Sequence, residues 1–172
     1  MDIDIIIPIY NAFDFVKKCI ETVIEHTDLT QHTLLLVNDK STDERILPLL
    51  NSFIKENQSL NIILIDNKDN QGFVRTVNIG MQYSHHDVVL LNSDTEVTRN
   101  WLSKIQNCAY SKPAVATVTP LSNNATLASV PVFLAENTIP PGLSVEEYAD
   151  IVEKCSMNLF PDIPKPVKTV LE

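Results

Sequence analysis

Five apolar runs recur along the chain, at residues 3–9, 34–37, 62–65, 88–91 and 114–118, each dominated by Ile, Leu, Val or Ala. Short runs without strict alternation suit strands covered on both faces, as in a parallel sheet. Between them the apolar period lengthens to that of a helix. Phe13, Val16, Ile20, Val23 and Ile24 share one face of residues 12–26, with Asn11 placed to cap it. Thr42 or Asp43 is placed to cap a second helix, where Pro48 falls close enough to the first turn to shorten or bend it. Val74, Val77 and Met81 mark a third helix, and Trp101, Leu102, Ile105 and Cys108 a fourth. This alternation predicts a doubly wound, mainly parallel α/β sheet, because right-handed crossovers place helices on both faces.

Ligands of such sheets bind beyond the carboxyl ends of the strands. Three of the expected strands end in polar clusters: Pro8, Tyr10 and Asn11; Asn38, Asp39, Lys40 and Ser41; and Asn92, Ser93 and Asp94. Parallel strands bring these clusters to one edge. Asp39 there can accept from the N–H of a pyrimidine base or simply start a helix, and Tyr10 offers a ring face for packing. Asp94 is either a turn residue or a hard oxygen ligand suited to Mg²⁺ or Mn²⁺, ions that take one or two protein carboxylates and complete their shell with phosphate oxygens and water. Gly72 is one of three glycines in the chain, so its place between a strand and a helix points to positive φ or close ligand approach. Arg75, one turn further on, either reaches a phosphate or base or is a solvated helix charge. Asn78 and Gly80 suit close helix packing.

Bulk properties narrow the partners. The 172 residues are 44% hydrophobic, enough for one ordinary domain. Net charge is −9, from 13 Lys+Arg against 22 Asp+Glu, which argues against nucleic acid and makes an anionic ligand depend on a metal ion or backbone N–H groups. The three cysteines form no CxxC pair or disulfide framework, and MDIDIIIPIY is neither signal peptide nor membrane span, so a reduced, cytoplasmic setting is expected. His85 and His86 are adjacent, which in an extended segment sends their side chains to opposite faces, and His26 and His32 are expected at the surface. No G-x-G-x-x-G, P-loop or G-x-S-x-G motif supports a dehydrogenase, NTPase or hydrolase. After residue 120 the pattern becomes turn-rich, with one short helix opened by a capping box from Ser144 to Glu147.

The blocks IIIPIYNA, VNDKSTD, NQGFVRTVNIGM and LLNSDTEV, in this order and spacing, resemble the nucleotide-sugar-binding half of a family 2 glycosyltransferase of the GT-A type, with a Rossmann-like sheet. NSDTEV, TPLSNNA and LSVEEYADIV are similar to bacterial rhamnosyltransferase-like enzymes of cell-surface polysaccharides. The resemblance implies that Pro8 and Tyr10 border the base pocket, that Asp39 binds uracil or thymine, and that Asp94 takes the last place of a D-x-D motif and ligates a divalent metal, with Ser93 near the ribose or metal. Asn38 and Asn92 stand where the family has aspartates. The expected nucleotide site is therefore Pro8, Tyr10, Asn11, Asp39, Gly72, Arg75, Asn92 and Ser93, with Asp94 on the metal.

The same resemblance divides the chain into a nucleotide-sugar-binding core, residues 1–120, and the start of an incomplete acceptor half, residues 121–172. It implies transfer, with inversion, from a UDP- or dTDP-sugar to a glycan or lipid-linked acceptor; beside the cytoplasmic setting, docking of a full-length protein at the inner face of the cell membrane stays open. The chain reads as cut in mid-domain, with surface left open for self-association. No catalytic base is assigned: Glu136, Glu146, Glu147, Asp150 and Glu153 read as a solvated face. The rival expectations are a non-catalytic nucleotide-binding or interaction module, and a nucleotidyltransferase. The latter wants a glycine-rich basic loop after the first strand, which IPIYNAFDFV lacks.

Overall fold

The computed structural model describes residues 1–125, 128–132 and 134–156, in two compact units, residues 1–118 and a second beginning at Thr119. The tail after Ser156 lies outside the described residues. In the first unit the order is β1 (Ile3–Ile9), α1 (Phe13–His26), β2 (Thr33–Asn38), α2 (Ile46–Glu56), β3 (Ile62–Asp66), α3 (Phe73–Tyr83), β4 (Asp87–Leu90) and α4 (Trp101–Ala109). All pairings are parallel, in the order β3-β2-β1-β4. The chain winds outward from β1 to β3 and then crosses back to β4, so the direction reverses between β1 and β4.

Two apolar layers explain the continuous runs. On one face, Ile3, Ile5, Ile7 and Ile9 pack with Val16, Cys19, Ile20 and Val23 of α1, Ile46 and Leu50 of α2, and Trp101 and Leu102 of α4. On the other, Ile6, Leu35 and Val37 meet Ile79 of α3. Burying each such side chain contributes about 1.5–3 kcal/mol. β1 and β2 are buried on both faces, whereas β4, expected from its apolar run to be covered on both faces, pairs on one side only among the described residues, with Leu90 48% exposed.

The structure departs from the sequence pattern in five further places, the first being that α2 starts after Arg45, without a side-chain cap, rather than after Thr42 or Asp43. Residues 114–118 form no strand; Pro113 lacks a donor, Ala114 sits at φ 69°, and residues 111–117 are exposed. Asn11 does not cap α1; that place falls to Ala12, at φ 57°, without a side-chain cap. α3 turns Thr76, Val77 and Gly80 inward and leaves Val74, Asn78 and Met81 exposed. His32 is buried, its Nδ1 accepting from Ile3 N at 3.2 Å. Pro48 is the third residue of α2, in the first turn, where its missing donor breaks no helical bond.

In the second unit, α5 (Val145–Ser156) opens with the expected capping box: Glu147 N donates to Ser144 Oγ at 3.2 Å, and Glu147 Oε2 accepts from Ser144 N at 2.8 Å. Upstream, Asn137 Nδ2 ties the loop by donating to Ser129 Oγ and to the Val132 and Ala135 carbonyls. Among the described residues no helix is long and apolar enough to cross a membrane.

Candidate nucleotide site

β1, β2 and β3 end level with one another: Ile9 pairs with Asn38, and Asn38 with Asp66. Asp39 N extends this ladder to Ile9 O at 2.8 Å, and Asn67 N extends it to Asn38 O at 2.9 Å. β4 stops sooner, with Leu90 beside Ile6. The carboxyl edge is thus stepped, with β1 standing above β4.

Asp39 lies at the base of this edge and is 4% exposed. Its Oδ1 accepts from Asn67 Nδ2 at 2.9 Å and from Gln71 N at 2.7 Å, and its Oδ2 accepts from Gly72 N at 2.9 Å. Burial pushes the carboxyl pKa up, but these donors, with the Thr76 hydroxyl, outweigh it and hold it below the usual value. Asp39 is therefore an anion at neutral pH. Gly72 supplies its N–H from φ 76°, ψ 162°, a conformation essentially restricted to glycine. An added Cβ there meets nothing within 4 Å, so conformation rather than packing demands the glycine. Gly80 has the opposite reason: its Cβ would lie 2.7 Å from Ile6 Cγ2.

A cleft of about 290 Å³ opens beside Asp39. Pro8, Tyr10, Asp39 and Gly72, all expected from the sequence, line it, together with Ile9, Asn70, Phe73 and Thr76, which were not. Tyr10 and Phe73 are 49% and 60% exposed and give the rim two aromatic side chains on which a flat ring can pack. Asn11 is not in the lining. Its Oδ1 accepts from Thr42 N at 2.8 Å and Asp43 N at 2.9 Å, stitching the β1–α1 loop to the β2–α2 loop. Asp43 in turn accepts from Arg45 N at 3.0 Å just before α2. Arg75 is exposed on α3 and also lies outside the lining. Asn38 is buried and structural, its Nδ2 donating to Asp66 Oδ1 at 2.7 Å.

Asn92, Ser93 and Asp94 form a separate turn beyond β4, closed by Thr95 N donating to Asn92 O at 3.2 Å. The turn sits on α1: Cys19 Sγ donates to Asn92 O at 3.5 Å, and Val97 N to Thr22 Oγ1 at 3.2 Å. Burial, with Asp94 and Glu96 nearby, pushes the Cys19 thiol up to about 12, so it is neutral. Asp94 itself is exposed. Among the described residues no three His, Cys, Asp or Glu side chains converge on a metal position. The donor set at the turn is one carboxylate, one hydroxyl and one amide. All are hard oxygen donors, which fits a divalent ion that leaves most of its shell to phosphate and water.

Two other features lie away from this edge. A hollow of about 390 Å³ at the carboxyl end of α1, lined by Glu25, His26, Thr27, Asp28, Arg99 and Asn100, is larger but lies at the amino ends of the strands. At that same end Asp4 accepts from Ser84 Oγ at 2.7 Å and His85 N at 3.1 Å, with His86 Nδ1 at 3.2 Å. These contacts fasten the start of β4 to β1.

The switch in strand order thus leaves the anionic Asp39 at its cleft and the oxygen-rich turn after β4 beyond the carboxyl ends of one parallel sheet. The match to glycosyl transferase family 2 spans residues 4–138, and the chain belongs to that family. It is 33% identical over 73 residues to a poly(ribitol-phosphate) beta-glucosyltransferase of Bacillus spizizenii, covering 42% of this chain and 11% of that protein. It is 31% identical over 104 residues to polypeptide N-acetylgalactosaminyltransferase 11 of Xenopus tropicalis, covering 59% and 17%. Among solved structures, a mannosyltransferase of Pyrobaculum calidifontis in complex with GDP-Man and Mn²⁺ aligns at TM-score 0.64 and 17% identity, over 69% of this chain and 35% of that one. S. aureus TarS 1–349 aligns at 0.55 and 18%, over 76% and 43%. The match therefore spans less than half the length of each of these proteins.

Proposed function

We propose that this chain is the donor-binding part of a metal-dependent, inverting glycosyltransferase that moves a sugar from a UDP- or dTDP-sugar to a hydroxyl of a glycan or lipid-linked acceptor. The observation that carries the proposal is Asp39, an oriented carboxylate at the foot of an aromatic-rimmed cleft at the strand ends. Asp39 accepts the imino N–H of the pyrimidine, and Tyr10 and Phe73 pack on the ring. Solved relatives at this fold were captured with GDP-Man and Mn²⁺ or with UDP, which supports a nucleotide donor. Asp94, with Ser93 and Asn92 beside it, would hold the divalent ion. When bound, that ion offsets the charge of the departing diphosphate, which a chain of net charge −9 otherwise repels.

Calorimetry with UDP, dTDP and GDP, each with and without Mn²⁺, tests the assignment. UDP or dTDP is expected to bind best, with Mn²⁺ strengthening it. Asp94→Ala is expected to weaken Mn²⁺-supported binding about tenfold or more while leaving metal-free binding unchanged. Equal binding by Asp94→Ala in Mn²⁺ would remove Asp94 from the metal site, and tighter GDP would overturn the pyrimidine assignment.

A further inference from the structure

Asn67 does not line the cleft, yet its side chain is spent on the carboxylate that does. The residue is 8% exposed, and its position is set before any ligand arrives, because its backbone N–H continues the β2–β3 ladder to Asn38 O at 2.9 Å. From that fixed point Nδ2 donates to Asp39 Oδ1 at 2.9 Å and lies 3.4 Å from Thr76 Oγ1, on the first turn of α3. Of the other donors to Asp39, the backbone N–H groups of Gln71 and Gly72 belong to the loop between β3 and α3, and the Thr76 hydroxyl belongs to α3. Asn67 is thus the donor that holds the carboxylate from the end of the sheet, where Gln71 and Gly72 hold it from the loop and Thr76 from α3.

We propose that Asn67 is a positioning residue of the nucleotide site: it fixes the plane of the Asp39 carboxylate relative to the cleft that Asp39 lines, so that the carboxylate meets the imino N–H of a pyrimidine bound there. This rests on the donor-site assignment above. The choice of side chain follows from the chemistry. A carboxylate offers about four acceptor directions, and a donor that is neutral orients it without neutralising it. A lysine or arginine at position 67 would form an ion pair and weaken the carboxylate as an acceptor for the base. An aspartate there would place a second carboxylate at hydrogen-bond distance, with no proton to donate unless one of the two is protonated.

The test compares UDP with 3-methyl-UDP, which lacks the imino N–H, on the wild-type chain and on Asn67→Asp and Asn67→Ala. Asn67→Asp is isosteric and keeps the packing, so it serves if the alanine variant fails to fold. Wild type is expected to prefer UDP. In Asn67→Asp at neutral pH, UDP affinity is expected to fall about tenfold, while 3-methyl-UDP stays within about twofold of wild type, so the preference collapses. The pH at which acid abolishes the preference is expected to rise in this variant, because the new carboxylate opposes ionisation of Asp39. A merely structural role lowers both affinities together and leaves their ratio unchanged; that result overturns the proposal. Absence of UDP binding by wild type is a different outcome, and it overturns the donor-site assignment instead.

Discussion

Gly72 joins backbone conformation to ligand chemistry at a single residue. At φ 76° and ψ 162° its N–H reaches Asp39 Oδ2 at 2.9 Å, and a side chain there would meet open space. Steric room does not relieve backbone strain, which for a residue with a Cβ in this region is about 1–3 kcal/mol. Gly72→Ala is expected to lower the free energy of unfolding by about that amount and to weaken UDP binding, because relaxing the strain pulls the N–H away from Asp39. Urea denaturation measures the first effect; an unchanged midpoint would mean that the loop adopts another conformation at no expense. Gly72 and Asp39 were legible in the sequence because a scarce glycine and a carboxylate at a strand end each have few structural uses. Asn67 was not, since an asparagine within DNKDN looks like loop polarity, and its partner is 28 residues away. Phe73 and Thr76 were missed for a related reason: only the placing of α3 against the strand ends turns its first turn toward the cleft.

At the scale of elements, periodicity identified the helices but misplaced one buried face. α3 rests on the sheet through Thr76, Val77 and Gly80, and Gly80 allows the approach. Alanine would raise helix propensity by about 1 kcal/mol, yet its Cβ would lie 2.7 Å from Ile6 Cγ2 and 3.3 Å from Val37 Cγ2. Both neighbours are branched side chains on strands buried on both faces, so neither yields readily, and overpacking of this kind costs about 1–3 kcal/mol. Gly80→Ala is expected to destabilise on balance, read as a lower midpoint in urea; a raised midpoint would show that α3 can lift from the sheet. The apolar residues Val74 and Met81 misled because hydrophobicity says which side chains prefer burial, whereas close approach selects small ones. Residues 114–118 misled in the same way. Their composition suits a strand, but a strand is defined by its pairing partner, and composition does not identify one.

The whole molecule carries a tension between its sheet and its charge. Among the described residues β3 and β4 each pair on one side only, and Ile63 on β3 is 45% exposed. An outer strand with an exposed β-branched residue is a template for pairing with another chain. The net charge of −9 opposes that encounter at long range. Salt shortens the reach of charge repulsion to about 8–10 Å at physiological ionic strength, and leaves strand pairing, which acts at about 5 Å, intact. Association is therefore expected to grow with ionic strength, opposite to the behaviour of an interface held by ion pairs. Sedimentation velocity at several salt concentrations reads this directly. Ile63→Lys, which places a charge on the outer strand without touching the buried layers, is expected to return the chain to a monomer under salt that associates wild type. If Ile63→Lys associates as strongly as wild type, the contact runs through another surface, and the outer edge of β3 is not the template.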